Sequence, residues 1–162
     1  MLSYLVRTES PEIWASWVSG NTNPPIAQLF SHRVPRKEKE LMPKLEVEGV
    51  GTFDVPENKR LVLAIEEDAG VDIMHRCGSY AACTTCRIEY LEGEPEKMTS
   101  AEVWALESGD LLGRVRLSCQ ALCDRDMKVR VLMTVSSTGL HYPGPKPEPE
   151  ITPPPEWVDR PT

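Results

Sequence analysis

Cys77-Gly78-Ser79-Tyr80-Ala81-Ala82-Cys83-Thr84-Thr85-Cys86 decides how this chain is read: three cysteines lie within ten residues at C-x5-C-x2-C spacing. A fourth, Cys119, follows in Arg116-Leu117-Ser118-Cys119-Gln120, with 32 residues between it and Cys86. The chain has five cysteines, an odd number, and no N-terminal apolar run of signal-peptide length, so disulfides explain them poorly. Bunched thiols of this kind point to a metal centre.

Iron in clusters takes soft thiolate ligands, four of them for a [2Fe–2S] centre. Three sulfurs on one loop and a fourth from a distant strand allow a fold to close around such a group. Gly78, Ser79, Ala81, Ala82, Thr84 and Thr85 are mostly small. Small residues let backbone N–H groups approach sulfur, and those contacts, with burial, set the reduction potential. A [4Fe–4S] site would want tighter C-x2-C-x2-C spacing, and a Rieske site two histidines beside cysteines; His75 has no such partner. His75 is therefore expected to be a hydrogen-bonding neighbour or a surface residue. The alternative centre is a four-thiolate zinc site from Cys83, Cys86, Cys119 and Cys123. It leaves Cys77 unexplained. Cys123 is otherwise expected to be a free, partly buried thiol.

Around the loop the pattern is that of an α+β domain over about residues 43–135. Leu45 and Val47 alternate with polar residues, Gly49-Val50-Gly51 turns, and Phe53 and Val55 resume the alternation, a hairpin signature. Asn58 is placed to cap a helix through Leu61, Val62, Ile65 and Ala69, with Gly70 to stop it. Ile88 and Tyr90 mark a third strand, and Thr99-Ser100-Ala101-Glu102 a capping box for a short helix closed near Gly109. Val115 and Leu117, then Val129, Val131 and Met133, predict two more strands. There is no phosphate-binding glycine loop, because Gly49-Val50-Gly51 opens no helix.

Residues 1–42 read as an N-terminal extension, either a start outside the folded unit or a docking segment carrying Trp14 and Trp17. Residues 136–162 hold eight prolines from Pro143 to Pro161 and predict an extended tail without a core of its own. The net charge is −7, and the stretch 43–135 carries 11 basic against 17 acidic side chains, so most of the acidity belongs to the domain. That excludes a basic nucleic-acid face and suits docking onto a basic protein surface. Glu92, Glu94, Glu96, Glu102, Glu107 and Asp110 are the candidate docking acids. No apolar stretch is long enough to span a bilayer, and a cytoplasmic location is expected.

The C-x5-C-x2-C loop with Ala82-Cys83-Thr84-Thr85-Cys86 and the distant Arg116-Leu117-Ser118-Cys119-Gln120-Ala121 resembles the [2Fe–2S] ferredoxins related to adrenodoxin and the bacterial iron–sulfur-assembly ferredoxins. Plant-type ferredoxins have a first gap one residue shorter. The resemblance covers about residues 43–135. It implies a β-grasp ferredoxin-like fold, a mixed sheet packed on one main helix with a cluster-binding loop. It implies a [2Fe–2S] cluster on Cys77, Cys83, Cys86 and Cys119, the first two on one iron and the last two on the other. The expected function is one-electron carriage, with no catalytic residue, between a flavin reductase as donor and a monooxygenase or the iron–sulfur assembly machinery as acceptor. A fixed electron-relay subunit of a larger complex is the alternative, with Trp157 and the tail wrapping a partner.

Overall fold

The computed structural model describes residues 42–161. The Trp14–Trp17 segment, and the role expected of the N-terminal extension, lie outside the described residues. Strands β1 (Lys44–Val47) and β2 (Gly51–Asp54) form the expected hairpin, with Leu45 and Val47 turned inward and Lys44 outward. Gly49 takes φ 78° at its turn, a conformation that favours glycine. Strands β3 (Arg87–Glu92), β5 (Arg116–Leu117) and β6 (Met127–Val131) complete a five-stranded sheet in the order β2-β1-β6-β3-β5. The β1–β6 pair is parallel and the others antiparallel, so the sheet is mixed, as the α+β reading requires.

The main helix departs from expectation. Helix α1 spans only Leu61–Leu63 and continues as a π-helical turn, Ala64–Asp68, closed by the Ala69 amide on the Ala64 carbonyl and stopped at Gly70. Asn58 does not cap it. It sits in a left-handed turn at φ 61°, and Arg60 occupies the cap position with no side-chain bond. One of the orphan donors of the first turn is satisfied from elsewhere in the fold, the Leu61 N–H donating to the Ala121 carbonyl at 2.9 Å. Leu61, Val62, Leu63, Ala64 and Ile65 are all buried, so this segment is covered on every side. Leu45, Val47, Ile88, Leu117 and Val129 of the sheet belong to the same core.

The second cover is the C-terminal tail. It is extended, but it lies on the domain and is called here the strap. Pro147 and Ile151 are buried, and Lys146, Pro147 and Pro149 share a cleft with Leu63 and Glu67 of the helix. The strap is reached through helix α3 (Val135–Thr138), whose N-terminus is closed by a reciprocal box between Thr134 and Ser137. At its start the His75 amide donates to the Pro143 carbonyl at 2.8 Å. A Cβ on Gly144 would stand 2.2 Å from the His75 carbonyl oxygen, so only glycine lets the two backbones touch. At its far end strand β7 (Trp157–Asp159) pairs antiparallel with β4 (Lys97–Thr99).

Helix α2 (Ser100–Ser108) follows β4, with the Thr99 hydroxyl accepting from the Glu102 amide as the capping motif predicts. The other half of the box is not made. The Glu102 carboxylate, fully buried, instead takes a bidentate bond from Arg116 at 2.9 and 3.1 Å and accepts the Leu117 amide at 2.6 Å. Among the described residues no helix is long and apolar enough to cross a membrane.

Candidate metal centre

The loop from Cys77 to Cys86 is wound from residues in the left-handed region: Gly78, Ser79, Ala81 and Thr84 have φ of 72°, 71°, 57° and 53°. Such angles cost energy for residues with a Cβ, most for a β-branched one such as Thr84, and strain of this kind collects at functional sites. Its effect here is to turn N–H groups onto sulfur. The Cys77 sulfur receives the amides of Ala82, Tyr80 and Cys83, the Cys83 sulfur that of Thr85, and the Cys119 sulfur that of Ala81.

The sulfurs stand as two pairs. Cys86 and Cys119 are 3.2 Å apart and buried, joined across β3 and β5 by the Ser118 amide and hydroxyl on the Cys86 carbonyl. Cys77 and Cys83 are half-buried, each is the strongest influence on the other's ionisation, and Thr85 Oγ1 is 3.0 Å from the Cys83 sulfur. The electrostatics follow the pairing. The bond from Cys83, assisted by the loop amides, holds the Cys77 thiol down at about 4, while the same bond and burial push Cys83 far up. Cys86 is likewise driven up by its bond to Cys119 and by burial, and Cys119 is lowered by that bond, by the Ala81 amide and by Gln120 and Arg60. Metal binding at either pair displaces the protons its thiols carry.

Among the described residues no three His, Cys, Asp or Glu side chains converge on one point. Two separate pairs of thiols fit a two-iron cluster, which would draw two protein ligands from each pair. A single zinc ion fits them poorly, since its four ligands must meet at one centre. Cys123, which the zinc alternative needs, faces Asp68, Lys59 and Asp124, and burial raises its thiol to about 12. It is a core residue, away from the pairs.

Several neighbours were not legible in the sequence. Arg60 is fully buried behind the loop and donates to the carbonyls of Ser79 (3.0 Å), Cys119 (2.7 Å), Glu148 (2.6 Å) and Glu150 (2.8 Å). Gln120, also buried, donates to Thr152 of the strap and lies 3.8 Å from the Cys119 sulfur, while Thr99 donates to its Oε1. Only long-range partners set Arg60 apart from its neighbour Lys59, which pairs with Glu67 and Asp68. Arg87, flanking the loop, donates to the Thr84 carbonyl, and Arg76 is exposed. His75 is buried, but neither ring nitrogen has a hydrogen bond, and its Nε2 stands 3.6 Å from a Glu66 carboxylate oxygen. Of the docking acids, Glu92, Glu96, Glu107 and Asp110 are exposed. Glu102 is not, and Glu94 is half-buried between Arg116 and Arg160, so these two are structural.

The family model described as the 2Fe-2S iron-sulfur cluster binding domain matches residues 45–124. No curated protein matches the chain. Among solved structures, the ISC-like [2Fe-2S] ferredoxin FdxB from Pseudomonas putida JCM 20004 is 24% identical, with a TM-score of 0.44 over 56% of this chain and 93% of that one. The ferredoxin reductase in carbazole 1,9a-dioxygenase is 21% identical, with a TM-score of 0.44 over 57% of this chain. The match spans only 29% of that reductase.

Proposed function

We propose, from the premise that residues 45–124 belong to the 2Fe–2S iron–sulfur cluster binding family, that Cys77, Cys83, Cys86 and Cys119 hold the cluster and that the chain shuttles single electrons. The cofactor of this domain is a [2Fe–2S] cluster, and the domain is an electron carrier that works with redox protein partners. The observation that carries the ligand set is the 3.2 Å contact that brings Cys119 from a distant strand onto Cys86 of the cysteine loop, where Cys77 and Cys83 shift each other's ionisation.

When bound, the cluster takes up and gives up one electron; everything else falls to the chain. The loop amides stabilise negative charge on sulfur, and the buried Cys86–Cys119 side excludes water. The Cys77–Cys83 side, with Tyr80 and Ala82 exposed beside it, is the edge nearest solvent and so the way in and out for an electron. A flavin reductase is the donor on this reading, and a monooxygenase or the iron–sulfur assembly machinery the acceptor. Exposed Glu92, Glu96, Glu107 and Asp110 supply the charge that a basic partner face would meet.

Anaerobic purification with absorbance, EPR, and iron and sulfide analysis tests the ligand set. Wild type and Cys123→Ala should be coloured, with two irons and two sulfides per chain on the stoichiometry of this cluster type. Cys119→Ser should lose most of the cluster. A Cys123→Ala protein that loses its cluster, or a Cys119→Ser protein that keeps it unchanged, overturns the assignment.

A further inference from the structure

Arg60 is a buried guanidinium whose four partners are all backbone carbonyls, two from the cysteine segments and two from the strap. Among the described residues it forms no salt bridge, whereas Arg116, the other buried arginine, has two carboxylates. Carbonyl dipoles satisfy its N–H groups but do not neutralise its charge, and a buried cation without an anion is costly. Its Nε lacks even a carbonyl. The anionic groups that act on it most are the Cys119 and Cys86 sulfurs, ahead of the Glu148 carboxylate and the Cys77 sulfur. Thiolate-bound iron and sulfide make a net negative group, which becomes more negative by one charge when an electron is added.

We propose that Arg60 is the fixed counter-charge of the cluster, a positioning residue that binds the strap over the cysteine segments and raises the reduction potential. The proposal rests on the ligand set given above. A cation held in a water-poor position favours the more negative of two charge states, here the reduced one. The fork is suited to the task. A planar guanidinium with several donors in fixed directions spans Ser79, Cys119, Glu148 and Glu150 at once, which an ammonium on a flexible stem does not. The two acceptors from the strap also shut water out of this side, so that the charge acts unscreened. The strap is therefore part of the electrostatic site as well as a cover for the helix.

The test compares wild type, Arg60→Lys and Arg60→Gln as full chains with the cluster loaded. Each is titrated with mediator dyes, one electron passing from the reduced dye to the protein and no proton being required. Hydrogen exchange of the strap amides is followed in parallel. Arg60→Gln should lower the equilibrium constant for reduction at least tenfold, about 59 mV for one electron. Arg60→Lys should stay within about threefold of wild type, since the charge remains, while its strap exchanges at least tenfold faster. An Arg60→Gln protein within threefold of wild type overturns the proposal. So does a loaded Arg60→Lys protein with a wild-type strap, which decides the matter if Arg60→Gln does not retain a cluster. Failure of the ligand assignment looks different, because wild type would then show no four-cysteine cluster to titrate.

Discussion

Glu102→Ala removes the carboxylate that joins helix α2 to β5, and its cost can be worked from the bonds it breaks. Three are lost: two to the Arg116 fork and one from the Leu117 amide, all buried. Breaking a buried ion pair by removing one partner costs about 3–5 kcal/mol, because the surviving charge is left uncompensated. Arg116 is not wholly abandoned. It keeps Glu94 at 3.1 Å and the carbonyls of Pro95 and Lys97 at 3.2 and 3.1 Å, which pulls the figure toward the lower end of that range. The Leu117 N–H is left buried without an acceptor, adding about 1–2 kcal/mol. The sum is roughly 4–6 kcal/mol, a large share of the 5–15 kcal/mol by which a domain is ordinarily stable. Anaerobic urea unfolding, read together by tryptophan fluorescence and by visible absorbance of the cluster, measures it. Glu107→Ala on the exposed face of the same helix is the control and should not move the midpoint. A Glu102→Ala protein within about 1 kcal/mol of wild type would mean that this carboxylate does not hold α2 to β5.

Further outcomes follow from the same geometry. Gly144→Ala drives a Cβ into the His75 carbonyl, so the strap must lift; limited proteolysis should cut within residues 143–161 in the variant before it does in wild type. In the metal-free chain the Cys77 thiol, held at about 4, is already ionised at pH 6. Its alkylation by iodoacetamide should therefore change little between pH 6 and 8, while an unfolded control, whose thiols titrate near the ordinary value, speeds up about tenfold per pH unit. Mass mapping of the labelled site checks this, and a tenfold-per-unit rise at Cys77 contradicts it. Electron transfer to a reductase should slow as ionic strength rises, if the exposed acids dock a basic face; a rate indifferent to salt removes that role.

The cysteine spacing and the β1–β2 alternation were readable because both are local: a loop's ligands and a hairpin's register are written in consecutive residues. Strands β4 and β7 were not, since three residues of Lys97–Thr99 become a strand only when Trp157–Asp159 arrives to pair with them. Arg60 was missed for the same reason, its four acceptors lying 19 to 90 positions away. One signal for the strap did stand in the sequence. A one-sided helix shows polar residues every third or fourth place, and the unbroken run Leu61-Val62-Leu63-Ala64-Ile65 shows none, which demands a second lid besides the sheet. The eight prolines pointed to an extended conformation but carried no information on what the tail touches. Likewise the Thr99 box foretold the start of α2, yet the diversion of Glu102 to Arg116 depends on a strand beyond the helix.

The strap follows every cysteine along the polypeptide. During synthesis from the N-terminal end the four thiols emerge while the wall that Glu148 and Glu150 complete does not yet exist, so nascent chains pass through a stage with an open doorway beside Arg60. Iron and sulfide delivered through that doorway would then be shut in when the strap docks. A chain ending at residue 142 should accordingly load faster in reconstitution than the complete one and surrender its iron faster to a chelator; equal rates in both directions would mean that the door never mattered.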